Sequence, residues 1–291
     1  MIFGLNPLCL TYLFIWTAIS FTPAPAYGEE SKSCISARES ETVIANFPIY
    51  DATLFHSPPA SKTWGAQRLT VIYESGLLHP RAIAGASPRV NGISTAFRGV
   101  PKDRELVCIN IESWMHQATR GEISHDRMVD LYIETLEIAR RVSPDQLLGF
   151  YSIPPIRNYW DAIRDKSDPK YQAWANKNNA LERLGFEVDI VFPSLYTFYN
   201  HPDEWEEYAR RNIEQARNFG KPVVPFIWFN FHNSNNDLAG KPIPPEFWRR
   251  QLELCLEIAD GVVIWGGFGQ NWDPDAPWLT VLNSWRADNG M

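Results

Sequence analysis

Short apolar runs alternate with longer amphipathic segments along most of the chain. Seven runs have the length and composition of buried strands. They cover residues 42–50, 68–75, 105–112, 147–153, 188–196, 222–230 and 261–267. Apolar residues at helical spacing predict helices at 124–142, 169–185, 201–220 and 244–260. Ser124 is the expected N-cap of the first of these helices. Strands that alternate with helices are typical of βα units around a parallel sheet.

The absence of internal repeats and long linkers favours a single domain. We therefore predict an α/β fold with one distorted TIM-like (β/α) barrel of seven strands. In such barrels the chemistry lies at the carboxyl ends of the strands, where the βα loops gather. The polar or aromatic residues expected there are Asp51, Glu74, Glu112, Tyr151, Tyr196, Asn230 and Trp265.

The segment VCINIESW, residues 107–114, is the most informative strand end. Residues i and i+2 of a strand share a face, so Asn110 and Glu112 should point the same way, about 6.5 Å apart along the chain. Glu112 closes an apolar strand and precedes Trp114, which predicts a half-buried carboxyl group beside aromatic surface. A general acid needs such an environment. The alternative is a solvated glutamate at the end of a strand.

The N-terminal segment indicates export. An apolar stretch from about Leu8 to Phe21 precedes small residues, and Ala26 and Gly28 fit a signal-peptidase site. We predict a signal peptide over residues 1–28, a mature chain of residues 29–291 and a secreted or periplasmic location. The segment before the apolar stretch lacks Lys and Arg, so an uncleaved anchor stays open as an alternative. No other segment is apolar enough to span a bilayer.

Charge and composition narrow the class of partner. The net charge of −7 and the scattered basic residues argue against a nucleic-acid partner, because phosphate binding needs a concentrated basic face. Twelve Trp, eleven Tyr and sixteen Phe provide more aromatic surface than a core usually needs. Carbohydrate-binding clefts use such rings for stacking, although core packing accounts for most of them.

The motifs for metals, cofactors and serine nucleophiles are missing from the sequence. The six His residues show no metal-ligand spacing, and the chain has no Gly-x-Ser-x-Gly elbow and no nucleotide fingerprint. We expect neither a metal nor a cofactor. Of the cysteines in the mature chain, Cys108 lies in a strand, so Cys34 with Cys255 is the one disulfide considered.

An ordered set of short motifs resembles the hyaluronidase family of glycoside hydrolases. The set comprises LTVIYESGLLHP, NGIS, VCINIESW, LLGFYSIPP, VFPSLY, PVVPFIWFNF and GVVIWGG. The similarity runs from about Thr42 to Trp278, and no single motif is diagnostic by itself. The resemblance implies a distorted seven-strand barrel and a groove for a polysaccharide rich in N-acetylhexosamine.

The resemblance also implies roles for individual residues. Glu112 matches the acid that protonates the leaving oxygen, while the acetamido oxygen of the substrate attacks the anomeric carbon. Tyr196 matches a tyrosine that contacts the acetamido group, and Trp265 matches a tryptophan beside it. Tyr151 matches an aromatic residue of the cleft. The other substrate-binding candidates are Glu74, Asp51, Phe226, Trp228 and Asn230.

Two positions depart from the family pattern. Asn110 stands where the family has Asp, and Phe226 stands where it often has a cleft Tyr. An amide brings no negative charge to an oxazolinium-like intermediate, which costs on the order of 1.5–3 kcal/mol.

Several functions therefore stay open. The protein cleaves another polysaccharide with Glu74 or Asp51 as nucleophile or base, works slowly through Asn110, or binds glycan without turnover. A structural envelope protein is a further alternative. The sequence leaves the oligomeric state open.

Overall fold

The computed structural model describes residues 47–102 and 106–291, in which seven short strands form two parallel sheets. The strands are Ile49–Thr53 (β1), Gln67–Arg68 (β2), Thr70–Tyr73 (β3), Leu106–Asn110 (β4), Leu147–Phe150 (β5), Phe226–Trp228 (β6) and Val262–Gly266 (β7). The sheet orders are β2-β1-β7-β6 and β3-β4-β5. Val107, Cys108 and Ile109 of β4 are fully buried, which explains why this strand is a continuous apolar run.

Two segments connect the sheets. Only Leu69 separates β2 from β3, so one stretch of chain pairs with β1 through β2 and with β4 through β3. Residues 191–194 lie between β5 and β6. They form isolated parallel bridges that pair Tyr151 with Phe192, Val191 with Val223, and Ser194 with Phe226. The predicted α/β barrel-type fold is confirmed, and the carboxyl ends of its strands lie at one edge.

Helices follow the strands, as the βα pattern requires. They are Val90–Arg98 (α1), Ser113–Thr119 (α2), His125–Val142 (α3), Tyr159–Ala162 (α4), Pro169–Asn179 (α5), Glu182–Glu187 (α6), Pro202–Arg217 (α7), Pro245–Ile258 (α8) and Pro277–Asp288 (α9). Ser124 caps α3 as predicted, because its hydroxyl accepts the Arg127 backbone N–H at 3.1 Å. In these two stretches of chain, no helix has both the length and the hydropathy needed to cross a bilayer.

Several predicted boundaries differ from the structure. The predicted strand at 188–196 forms only bridges, and Pro193 within it has no N–H to donate. The predicted strand at 68–75 divides at Leu69, and a short 3₁₀ turn begins at Glu74. The predicted helix at 169–185 is two helices, α5 and α6. The pattern did not predict α1, α2, α4 or α9.

The predictions for the N-terminal segment fall on residues that the structure does not describe. They concern the signal peptide over residues 1–28, the strand over 42–46 and Cys34. Cys255 is a free thiol on α8, almost fully buried, so the structure contains no bridge at that cysteine.

Much of the aromatic content belongs to the core. Five Trp side chains are among the largest fully buried residues: Trp114, Trp174, Trp205, Trp248 and Trp285. Core packing therefore accounts for these five, whereas Trp228 and Trp265 line cavities at the carboxyl edge of the strands.

Candidate active site

Glu112 lies just beyond β4, at the N-terminal end of α2. Buried side chains stabilise the turn that carries Glu112. Trp114 packs edge-on against Tyr132 at 5.2 Å between ring centroids, and the Tyr132 hydroxyl donates to the Ile111 carbonyl at 2.7 Å. The Glu112 side chain itself is half-buried and lines a cavity. The structure therefore places Glu112 at the carboxyl end of a strand, half-buried beside aromatic side chains, as the sequence predicts.

Glu74 supports this turn rather than lining the cavity. Its Oε2 accepts the backbone N–H groups of Glu112 and Ser113, each at 3.1 Å. These donors belong to the start of α2, where N–H groups have no partner within the helix. The sequence predicted Glu74 at the carboxyl end of a strand, facing the substrate. Its carboxylate instead binds backbone N–H groups of the turn that carries Glu112.

Asp51 is also engaged within the protein. It lies in the middle of β1 instead of at a strand end, and it is 1% exposed. Its oxygens accept hydrogen bonds from Thr53 and Ser61, and an Arg68 nitrogen lies 3.2 Å away. The structure therefore does not bring Asp51, which the sequence suggested as a nucleophile, base or substrate ligand, into the lining of the cavity around Glu112.

The cavity at Glu112 has a volume of about 170 Å³. Its lining residues are Val71, Tyr73, Asn110, Glu112, Tyr151, Arg157, Tyr196, Phe226, Trp228, His232, Asn233 and Trp265. Within the described part of the chain, Glu112 is the one carboxylate in this lining. The described residues also contain no group of three or more His, Cys, Asp or Glu side chains that could hold a metal ion.

Asn110 shares the cavity with Glu112, as the two-residue spacing predicts. Tyr73 of β3 pairs with it in the sheet. The Asn110 Nδ2 atom donates to Glu112 Oε1 at 3.3 Å, while its Oδ1 is buried and has no hydrogen-bond partner. The amide therefore acts as a neutral donor to the candidate acid.

Tyr151 and Tyr196 are nearly buried residues of the cavity lining, with ring centroids 5.8 Å apart. The Tyr151 hydroxyl lies 3.0 Å from Ser194 Oγ, and the Phe226 ring packs edge-on against Tyr151 at 5.1 Å. Burial raises the pKa of Tyr151 to about 12 and raises the pKa of Tyr196 well above its usual value. Both phenols are therefore protonated at neutral pH and can donate hydrogen bonds to a ligand oxygen.

Trp265 and Trp228 form the aromatic side of the cavity. Their rings are perpendicular at 4.9 Å, and each lies within 6 Å of the Tyr196 ring. Trp265 Nε1 donates to the Tyr73 hydroxyl at 3.4 Å. The structure thus brings together Glu112, Asn110, Tyr151, Tyr196, Phe226, Trp228 and Trp265 from the sequence-based set. Asn230 instead binds the Gly240 carbonyl and lines an adjacent cavity.

The sequence-based set missed Tyr73, Arg157 and Asn233, and it left out His232. Arg157 lies near Ser194 and over the Phe198 ring at 5.2 Å. Burial, together with the Arg157 charge, lowers the pKa of His232 to about 4. Tyr73 could have been found, because alternation along β3 places it one position before Glu74 and opposite Asn110. The others lie on loops, where no periodicity marks them.

Comparisons with known proteins support the fold. No protein-family model matches the chain, and no curated protein matches it significantly. Among solved structures, bee venom hyaluronidase superposes with a TM-score of 0.57 at 16% identity, covering 83% of this chain and 96% of the other. Bee venom hyaluronidase in complex with a hyaluronic acid tetramer gives 0.55 at 17% identity, covering 76% and 90%. At these identities the similarity establishes a shared fold.

Proposed function

We propose that the protein is a glycoside hydrolase that cleaves an extracellular or cell-wall polysaccharide, such as one containing N-acetylhexosamine, with Glu112 as general acid and base. The observation that carries this proposal is that Glu112 is the single carboxylate among the described residues that line its cavity, where five tyrosine and tryptophan side chains accompany it. Sugars present apolar C–H faces and hydroxyl groups, which fit aromatic rings and phenolic donors.

The geometry favours a nucleophile that the substrate supplies. Two-carboxylate glycosidases need a second Asp or Glu within about 5–10 Å of the acid. Glu74 and Asp51, the candidates from the sequence, are both committed to hydrogen bonds inside the protein. A 2-acetamido carbonyl oxygen would attack the anomeric carbon while the glycosidic C–O bond breaks. The leaving oxygen would take the proton from Glu112.

The second step regenerates the acid. Glu112, now ionised, takes a proton from water as the water oxygen attacks the anomeric carbon and opens the cyclic intermediate. Tyr196 and Tyr151, which are protonated, provide donors for oxygens of the bound sugar. Two displacements at the same carbon predict net retention of configuration.

The neighbouring structure supports a polysaccharide substrate. Bee venom hyaluronidase shares the fold and has been solved with a hyaluronic acid tetramer. For this chain, the aromatic cavity supports a glycan substrate, and the predicted signal peptide supports a location outside the cytoplasm. Mass spectrometry of the N-terminus after expression in an exporting host tests the location, with a mature chain that begins at Glu29 as the expected result.

The second candidate is a glycan-binding protein without turnover. Asn110 favours it, because this residue brings no negative charge to the cavity and its Oδ1 is buried. A panel of polysaccharides, assayed for reducing-end release and for binding in parallel, separates the two functions. Release of new reducing ends from one glycan supports the hydrolase. Specific binding without product at high enzyme concentration supports the binder and overturns the hydrolase.

A further inference from the structure

A second, larger cavity lies against the candidate active site on the side of β1 and β7. Its volume is about 980 Å³. It shares Tyr73, Trp228, Asn233 and Trp265 with the cavity at Glu112, so the two cavities adjoin at these side chains. We call it the β7 chamber. A glycan chain that leaves the first cavity past these shared side chains would enter the β7 chamber.

The two loops that line the β7 chamber are fixed to each other. The Leu54 N–H donates to the Gly266 carbonyl and the His56 N–H to the Gln270 carbonyl, both at 2.8 Å. Gly267 has a φ of +74°, and a Cβ there would lie 2.6 Å from the Phe55 ring. The glycine is needed for this close approach, and the chamber is therefore preformed.

Five of the sixteen lining residues carry Phe, Tyr or Trp rings: Phe55, Tyr73, Trp228, Trp265 and Phe268. Phe55 stacks on Phe229 with 6.0 Å between ring centroids and an interplanar angle of 4°, which fixes its orientation. Phe268, between two glycines on the loop after β7, lines the chamber and is 76% exposed. Because Phe268 lies in the lining of the chamber, its exposed ring is available to a ligand that enters the chamber. Side-chain amides of Asn230, Asn233 and Gln270 lie among the lining residues.

The chamber offers no unpaired charged side chain among the described residues that line it. Arg68 is the one Lys, Arg, Asp or Glu side chain in this lining, and it is bound to the buried carboxylate of Asp51 at 3.2 Å. A carboxylated or sulfated unit would lose hydration in the chamber, and the one Lys or Arg side chain that it could meet there is already paired with Asp51. Rings and neutral amides instead fit the C–H faces and hydroxyl groups of uncharged sugars.

We infer that the β7 chamber binds uncharged sugar units of the same glycan chain that Glu112 cleaves, with Phe268 as a stacking platform. This inference rests on the proposed function for the identity of the ligand, and it narrows the substrate to chains with neutral units on the β7 side. Phe268 acts as a specificity-determining residue, which contacts the chain away from the bond that breaks.

The test measures binding without turnover. Equilibrium binding is followed by tryptophan fluorescence or calorimetry in the full chain carrying Glu112→Gln. The probes are di- and hexasaccharides of β-1,4-linked N-acetylglucosamine, β-1,4-glucose, β-1,3-glucose and β-1,4-galactose, with a hyaluronan hexasaccharide as the charged probe. Each is titrated into that protein, into the same protein with Phe268→Ala, and into a control with Phe186→Ala. Phe186 is a similarly exposed ring, 68%, on α6.

The inference predicts that at least one neutral hexasaccharide binds more tightly than its disaccharide. Phe268→Ala should weaken the hexasaccharide by roughly three- to tenfold, the size of one aromatic contact, and leave the disaccharide unchanged. Phe186→Ala should change neither. The inference is overturned if no neutral hexasaccharide binds, if the hyaluronan probe binds more tightly than every neutral one, or if Phe268→Ala has no effect. Absence of hydrolysis by the wild type would overturn the hydrolase alone, since this readout needs no turnover.

Discussion

Asn110 and Glu112 line the same cavity, but only Glu112 has an ionisable side chain. The Asn110 amide donates to Glu112 Oε1, and it brings no negative charge to a cationic intermediate. Charged hydrogen bonds are about twice as strong as neutral ones. In the substrate-assisted reaction proposed above, Asn110, two residues before Glu112, is therefore expected to lower the rate.

Asn110→Asp tests this limit. A carboxylate at this position should raise kcat on an N-acetylated substrate by about ten- to a hundredfold, corresponding to about 1.5–3 kcal/mol of added stabilisation. Initial rates on a matched glycan without the acetamido group provide the control, where we expect no rise. Equal rates for variant and wild type on the acetylated glycan would contradict the substrate-assisted step.

His232 reports on the electrostatics of the cavity. Its pKa is about 4 because burial and the Arg157 charge disfavour the imidazolium. Its folded-state pKa lies below the unfolded value of about 6.5. The unfolded state then binds more protons, and this part of the stability, complete above about pH 6.5, is lost as the pH falls towards 4.

Arg157→Met should raise the pKa of His232 by part of its total shift, since burial is the larger cause. An NMR titration of the histidine ring protons measures this change. The His125 ring is an internal control, because burial, Asp126 and Lys177 set its lowered pKa without Arg157. An unchanged His232 titration in the variant would show that the guanidinium does not act on this ring.

At the scale of the elements, α2 and the turn before it hold the candidate acid in place. Glu74 caps this turn from a different βα unit, so the position of Glu112 depends on the packing of β3 against β4. An equally simple cap, Ser124, starts α3 outside the cavity. The two caps allow stability and positioning to be separated.

Glu74→Ala should lower the free energy of unfolding by about 1 kcal/mol and reduce kcat, with KM less affected. Ser124→Ala should cost a similar stability and leave kcat unchanged. Glu74→Gln retains an acceptor oxygen and should recover part of kcat. Denaturant unfolding and steady-state kinetics of the three variants measure both effects. If Ser124→Ala loses as much kcat as Glu74→Ala, Glu74 affects kcat only through the stability of the fold and does not position Glu112.

At the scale of the molecule, the sequence predicted the α/β fold because buried parallel strands are continuous apolar runs. The carboxyl ends of such strands meet at one edge, which is why Glu112, Tyr151, Tyr196 and Trp265 come together. The sequence is less reliable about which residue of a strand end faces the cavity, because an error of one position in the register moves a side chain to the other face. The sequence-based set accordingly contained Glu74 in place of its neighbour Tyr73.

Residues that tertiary contacts decide could not be predicted. Asp51 is polar and directly follows the strand predicted over 42–50, but it lies in the middle of β1. Arg68 and Ser61, distant in sequence by ten residues or more, occupy its oxygens. Arg157 and Asn233 lie on loops, whose paths depend on the strands that they connect. Phe268 is apolar and exposed, and no pattern in the sequence separates it from the rings of the core.

The most direct measurement is the hydrolytic rate of Glu112→Gln on the glycan that the wild type cleaves, with the surface variant Glu253→Gln as control. Glutamine keeps the size of the side chain and cannot donate the carboxyl proton. The account predicts a loss of about 10²- to 10⁴-fold in kcat for Glu112→Gln, with an unchanged melting temperature and with wild-type activity in the control. Wild-type release of reducing ends by Glu112→Gln would contradict it.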